Sequence, residues 1–190
     1  DHADKGFAAN NKEFNEVTWF YVSTDNTDTS GNPEPDSYVT YNYETPAWSI
    51  GTLDRTCWFD SFGFRRKPFA FDADGVLYNH EEGSDANGEV LAAHVETSPL
   101  EIGNGNELML IDKIIPDVTL NGNLNLEINS KKYPNGSATS KGPFTISSSS
   151  TKVSMRARGR QMTMKMSSNQ LGDSWSLGDF RVNTRQDGLR

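Results

Sequence analysis

Apolar and polar positions in this chain alternate with period two far more often than with the helical period. Leu120, Gly122, Leu124, Leu126 and Ile128 fall on one side of an extended segment, opposite Asn121, Asn123, Asn125, Glu127 and Asn129. Successive side chains of a strand point to opposite faces, so this pattern predicts a half-buried antiparallel strand. Val39, Tyr41 and Tyr43 alternate with Thr40 and Asn42 in the same way. The run Val17-Thr18-Trp19-Phe20-Tyr21-Val22 is apolar on both sides and rich in strand formers, as for a central strand. Val153, Met155, Ala157 and Gly159 alternate with Ser154, Arg156, Arg158 and Arg160, after which the apolar phase moves to Met162, Met164 and Met166. A one-residue slip of that kind predicts a β-bulge at Gly159–Gln161. Only Lys12–Glu16 offers a short helix, and nothing there sustains the i, i+3, i+4, i+7 pattern.

Turn residues punctuate these segments. Phe69-Ala70-Phe71, then Asp72-Ala73-Asp74-Gly75, then Val76-Leu77-Tyr78 predict a hairpin whose Asp-Gly pair supplies positive-φ positions. Asn87-Gly88, Asn104-Gly105, Asn121-Gly122 and Asn135-Gly136 mark further turns. The stretch 24–36, with Gly31, Pro33 and Pro35, reads as a polar loop, and so does the Ser/Thr run at 147–151. The chain is therefore expected to be all-β. Before about residue 95 the strands carry Trp19, Trp48, Trp58 and most of the tyrosines, and 38–60 and 68–80 look like pieces of propeller blades. Beyond it, strands expected at 108–115, 122–129, 144–147, 152–166 and 177–184 are longer and poorer in aromatics, which predicts a sandwich or an added antiparallel sheet. The expected organisation is thus a propeller-like portion over 1–95 and a sheet or sandwich portion over 96–190. Too few blade-length repeats fit into 190 residues to close a propeller, so a piece of a longer chain is expected.

Charge sharpens the division. The net charge is −8, yet residues 1–100 hold 6 basic and 18 acidic side chains while residues 101–190 hold 12 basic and 8 acidic. Opposite signs in the two halves permit head-to-tail contact between copies. An acidic balance argues against general nucleic-acid binding, which needs clustered Lys and Arg over a broad face. No apolar run approaches the roughly 18 residues of a membrane-spanning helix. The single cysteine, Cys57, leaves no internal disulfide and no multi-cysteine zinc site.

Most chemical motifs fail on inspection. Asp72-Ala73-Asp74-Gly75 starts like a calcium loop, but Val76 and Gly83 stand where an EF-hand needs oxygen ligands. His80-Glu81-Glu82-Gly83-Ser84 lacks the second His of a zinc protease, and His94-Val95-Glu96 is followed by no paired cysteines. His80, Glu81, Glu82, His94 and Glu96 gather a metal only if their two strands pair. No Gly-x-Ser-x-Gly elbow and no dinucleotide or phosphate-loop glycine pattern occurs, and Cys57 reads as an inert thiol in a strand. The expectation is a non-enzymatic protein without cofactor or metal. The one concentrated basic element is Arg156-Ala157-Arg158-Gly159-Arg160. On a strand its three arginines share a face and form a stripe about 13 Å long. Arg156, Arg158 and Arg160 are accordingly candidates for a subunit interface, with pairing to the chain's own acids as the plainer alternative and direct phosphate contact as a third.

Five segments carry a family resemblance. They are Tyr38-Val39-Thr40-Tyr41-Asn42-Tyr43, Trp48-Ser49-Ile50-Gly51-x-Leu53-x-Arg55-Thr56 and Asp74-Gly75-x-Leu77-Tyr78-x-His80-Glu81-x-Gly83. The last two are Arg156-Ala157-Arg158-Gly159-Arg160-Gln161 and Leu177-Gly178-x-Phe180-Arg181-x-Asn183-x-Arg185-x-Asp187-Gly188. Together they make residues 17–190 resemble the C-terminal part of tail nozzle, or tail tubular, proteins of short-tailed bacteriophages. That resemblance implies a β-propeller with added β-domains, a place in the virion tail, and a hexameric ring that meets the tail adaptor and other tail proteins. It also implies that genomic DNA passes through the lumen without specific binding. Two other classes remain open from the residues alone. A carbohydrate- or receptor-binding β-module would expose Trp19, Trp48, Trp58 or Trp175 on a flat face. A β-rich hydrolase would need two carboxylates in register.

Overall fold

A computed structural model describes residues 2–28 and 31–188 and shows an all-β chain of antiparallel sheets. It separates into two compact units, Asp1–Glu82 and Gly83–Arg190.

The first unit holds β1 (Phe7–Asn11), β2 (Glu16–Tyr21), β3 (Ser37–Asn42) and β4 (Ala47–Thr52), an up-and-down sheet in sequence order. A three-stranded meander follows: β5 (Cys57–Phe59), β6 (Phe69–Phe71) and β7 (Leu77–Asn79). Lys12–Glu16 is not a helix. It forms the β1–β2 turn, where Asn15 takes the left-handed conformation at φ 57° and ends any helical run. The Asp72–Gly75 hairpin forms as expected, but only Gly75 carries a positive φ, at 80°. Asp72 Oδ1 supplies the rest, accepting the amides of Asp74 at 3.0 Å and Val76 at 2.8 Å. The 24–36 loop is tied at its base by Asp36, whose carboxylate accepts the amide and hydroxyl of Ser23, both at 2.8 Å.

The second unit is a two-sheet sandwich. Its elements are β8 (Ala93–Glu96), β9 (Met109–Ile115), β10 (Val118–Asn121), β11 (Leu124–Lys131), β12 (Thr139–Ile146), β13 (Val153–Gly159), β14 (Gln161–Ser168), β15 (Ser174–Leu177) and β16 (Arg181–Gln186). One sheet runs β12-β11-β14-β8 and the other β13-β9-β16, while β10 and β15 pair as a ribbon. Leu124, Leu126 and Ile128 of β11, Met162, Met164 and Met166 of β14, and Met109, Ile111 and Ile114 of β9 form one buried core between the sheets. The alternating pattern of β11 is therefore borne out residue by residue, with the asparagines on the outer face.

Three expected strands, 120–129, 152–166 and 177–184, are each divided. Gly122 breaks the run 120–129 at φ 85°, and a Cβ there would lie 2.1 Å from Asp173 Oδ1. Asp173 holds the turn by accepting the amides of Asn123 and Gln170, each at 3.1 Å. Likewise 177–184 splits into β15 and β16 around Gly178, whose Cβ would meet Asp117 Oδ2 at 2.5 Å. The phase slip at 159–161 is real but is not a bulge. The chain leaves one sheet at Gly159 and enters the other at Gln161, so each half buries its own phase. The irregular pairing of β13 lies earlier, between Ser154 and Ala157.

Because Leu126 is fully buried in the shared core, Leu126→Ala should cost about 2–5 kcal/mol of stability in urea unfolding. Asn129→Ala, on the outer face of the same strand, should cost less than about 1 kcal/mol. Equal losses would contradict the assigned faces.

Candidate functional site

Cross-strand register assigns the two faces of the β1–β4 sheet. Phe7, Phe20, Tyr38 and Gly51 lie in one row, and Phe20 is 2% exposed. That inner face is covered by the β5–β7 meander. Phe20 lies 5.9 Å from the Trp58 ring, whose indole N–H donates to the Asn10 carbonyl at 3.2 Å. Tyr38 lies flat over Gly51, where any Cβ would sit 2.6 Å from its hydroxyl.

The opposite face carries large apolar side chains and is bare among the described residues. Trp19, Val39 and Ile50 make one cross-strand row, and Val17, Tyr41 and Trp48 the next. Trp19 stacks on Trp48 at 6.1 Å and Tyr41 tilts against Trp48 at 4.6 Å. Trp48 is nevertheless 67% and Ile50 79% exposed. Of the four tryptophans, Trp19 and Trp48 are thus on a flat exposed face, whereas Trp58 and Trp175 are half-buried and hydrogen-bonded through their indoles.

A polar knot sits beside the covered face. Arg55 is nearly buried, donates from Nε to His80 Nε2 at 3.0 Å, and lies 4.2 Å over the Tyr78 ring. His80 in turn packs 4.5 Å from Trp58. Burial, and next the Arg55 charge, lower the His80 pKa to about 4, so the imidazole is a neutral acceptor at ordinary pH. Neither residue stood out in sequence as a partner of the other, since 25 positions separate them.

The arginines of 156–160 are less uniform than a single stripe. Arg156 and Arg158 are exposed on β13, whereas Arg160 lies beyond the strand, at the crossing between sheets. Arg158 pairs within the chain, Nε to Asp187 Oδ2 at 2.5 Å. Arg160 donates to the Asn106 carbonyl and stands 5.9 Å from the Tyr133 ring centroid. Arg156 and Arg158 instead line a cleft of about 550 Å³ with Lys132, Lys141, Tyr133 and Thr139. Lys132, in the β11–β12 connection, and Lys141, on β12, carried no sequence signal, because only the fold brings them to the cleft.

The remaining motifs are resolved plainly. The strand carrying His94 and Glu96 pairs with β14, and β7, which precedes His80, pairs with β6. Among the described residues, no three His, Cys, Asp or Glu side chains gather in a way that could hold a metal ion. Cys57 is half-buried on β5. No helix among the described residues is long and apolar enough to cross a membrane.

No family model and no curated protein matches the chain. Among solved structures, a glycoside hydrolase family 43 arabinoxylan arabinofuranohydrolase from Bacillus subtilis, in complex with cellotetraose, aligns over 95% of this chain at 8% identity and a TM-score of 0.27. The chain spans 54% of that protein's length.

The Arg55–His80 contact has a pH signature. Between the ordinary imidazole value of 6.5 and the folded value of about 4, the unfolded chain binds a proton that the folded chain refuses. Stability should therefore fall as pH is lowered through this window and be indifferent to His80 above it. Thermal unfolding of His80→Gln should show a shallower fall over the same range, and an unchanged slope would refute the assignment.

Proposed function

We propose that this chain is a non-enzymatic structural part of a short-tailed phage tail, a portion of the nozzle through which DNA leaves. The observation that carries this reading is the outer face of the four-stranded meander, where Val17, Trp19, Val39, Tyr41, Trp48 and Ile50 lie together with no cover among the described residues, while Phe20 on the other face is buried. An antiparallel sheet that meets water on one side alternates apolar with polar residues, whereas a sheet stacked on both sides is apolar on both. Propeller blades are of the second kind, each four-stranded sheet packing its faces against its neighbours. The bare face of β1–β4 thus fits a blade whose neighbour lies elsewhere in a longer polypeptide. In a ring built from such chains, each copy meets the next through two different surfaces.

The same face favours a second reading. Trp48 and Tyr41 on a flat, exposed sheet match the platform of a carbohydrate-binding module. Val39 and the strongly exposed Ile50 beside them weigh toward packing, because aliphatic side chains offer a sugar ring little that stacking aromatics do not.

Ile50→Asp separates the two. In the gene product that contains this chain, a buried blade face predicts a loss of about 2–5 kcal/mol in stability together with loss of ring assembly. In the 190-residue chain alone the same change should be close to neutral. Antibodies against this chain should label the tail of the particle that carries it. A glycan platform would leave Ile50→Asp harmless in both settings, and Trp48→Ala would then abolish glycan-dependent tryptophan quenching.

A further inference from the structure

The cleft beside β13 is independent of the bare blade face. The corner between the sandwich sheets builds it. The Arg160 amide donates to the Lys131 carbonyl at 2.8 Å, which fixes the end of β11 against β13. The Ser130 hydroxyl donates to the Thr139 carbonyl at 3.1 Å, and the Gly136 amide closes the connecting turn onto the Tyr133 carbonyl at 2.9 Å. Arg156, Arg158, Lys132 and Lys141 line the cleft together with Ser137 and Thr139.

Four cations converge here, and no carboxylate is among the lining residues. Arg158 is paired with Asp187, while none of the ion pairs found among the described residues involves Lys132, Lys141 or Arg156. This concentration of like charge occurs in a chain whose net charge is −8, so the surplus is local. Like charges held together repel, and an anion relieves them. Tyr133, 65% exposed at the cleft, adds an aromatic surface to the hydroxyls and cations. The volume lies within the range of small-ligand sites and below the broad basic face that duplex nucleic acid requires.

We propose that this cleft binds an anionic oligosaccharide, with Lys132, Lys141, Arg156 and Arg158 holding its carboxylate or phosphate groups and Tyr133 receiving a sugar ring. The site goes beyond the tail reading and does not depend on it. Aromatic rings take up the apolar faces of sugars, hydroxyls hydrogen-bond their OH groups, and Arg and Lys recognise the charged substituents.

Calorimetric titration of the whole 190-residue chain tests this with tetragalacturonate, phosphorylated mannopentaose, neutral maltotetraose, inorganic phosphate and a short DNA duplex. At least one charged oligosaccharide should bind about tenfold or more tighter than maltotetraose, phosphate or DNA, and more weakly as salt rises. Preference between the two charged sugars identifies carboxylate or phosphate as the group recognised. Lys141→Ala/Arg156→Ala should weaken that binding about tenfold or more with an unchanged circular dichroism spectrum, Tyr133→Ala should weaken it several-fold, and Arg181→Ala should leave it unchanged. Failure of both charged sugars to bind, DNA binding of equal strength, or indifference to the double substitution would overturn the proposal.

Discussion

The second unit is organised by the close approach of Gly159 to the end of β11. A Cβ at Gly159 would stand 2.9 Å from the Lys131 carbonyl oxygen and 3.1 Å from Ser130 Cβ, so only glycine lets the backbones meet. The next residue then gives its amide to that same carbonyl. Here the chain changes sheets with a single residue, Arg160, between the two strands, and the apolar phase must change with it. Met155 and Ala157 belong to one sheet and Met162 and Met164 to the other, which closes the core from both sides. The cleft is a product of the same corner, because holding β11 against β13 brings Lys132 of the β11–β12 connection and Lys141 of β12 up to the arginines.

The first unit rests on a different constraint. Three ladders join its four strands and leave β1 and β4 as edges, and its faces depend on side-chain burial. One face gains it from Trp58, His80 and the second meander. The polar knot of Arg55 on that side is tolerated because each donor finds an acceptor or a ring, with His80 kept neutral. The other face has large side chains and no cover among the described residues.

Much of the fold was legible because period-two alternation is a local property. β3, β11 and β14 could be read from their own residues, and so could the Asp72–Gly75 turn. Strand ends were less legible where a distant carboxylate decides them. Asn121-Gly122 could be read as a turn, but the carboxylates of Asp173 and Asp117 that fill the space beside Gly122 and Gly178 are distant in the chain. The helix considered at Lys12–Glu16 failed for the complementary reason, as the few residues between β1 and β2 are fewer than any stable helix needs. Of the arginine cluster, the sequence disclosed the charges but not their partners. Asp187 and the Asn106 carbonyl are 29 and 54 positions away. The two lysines that complete the cleft reach it only through tertiary structure.

The bare face of the first sheet also bears on timing. A sheet that exposes Trp48 and Ile50 on one side is attracted to any similar surface, its own copies included. Correct neighbours and random ones compete for that surface at rates set by concentration and by how long it stays uncovered. A blade connected to its neighbour by a short stretch of chain meets it at a high effective concentration, which favours the correct outcome. Covalent continuity would then protect as well as connect, by keeping the interval of exposure brief.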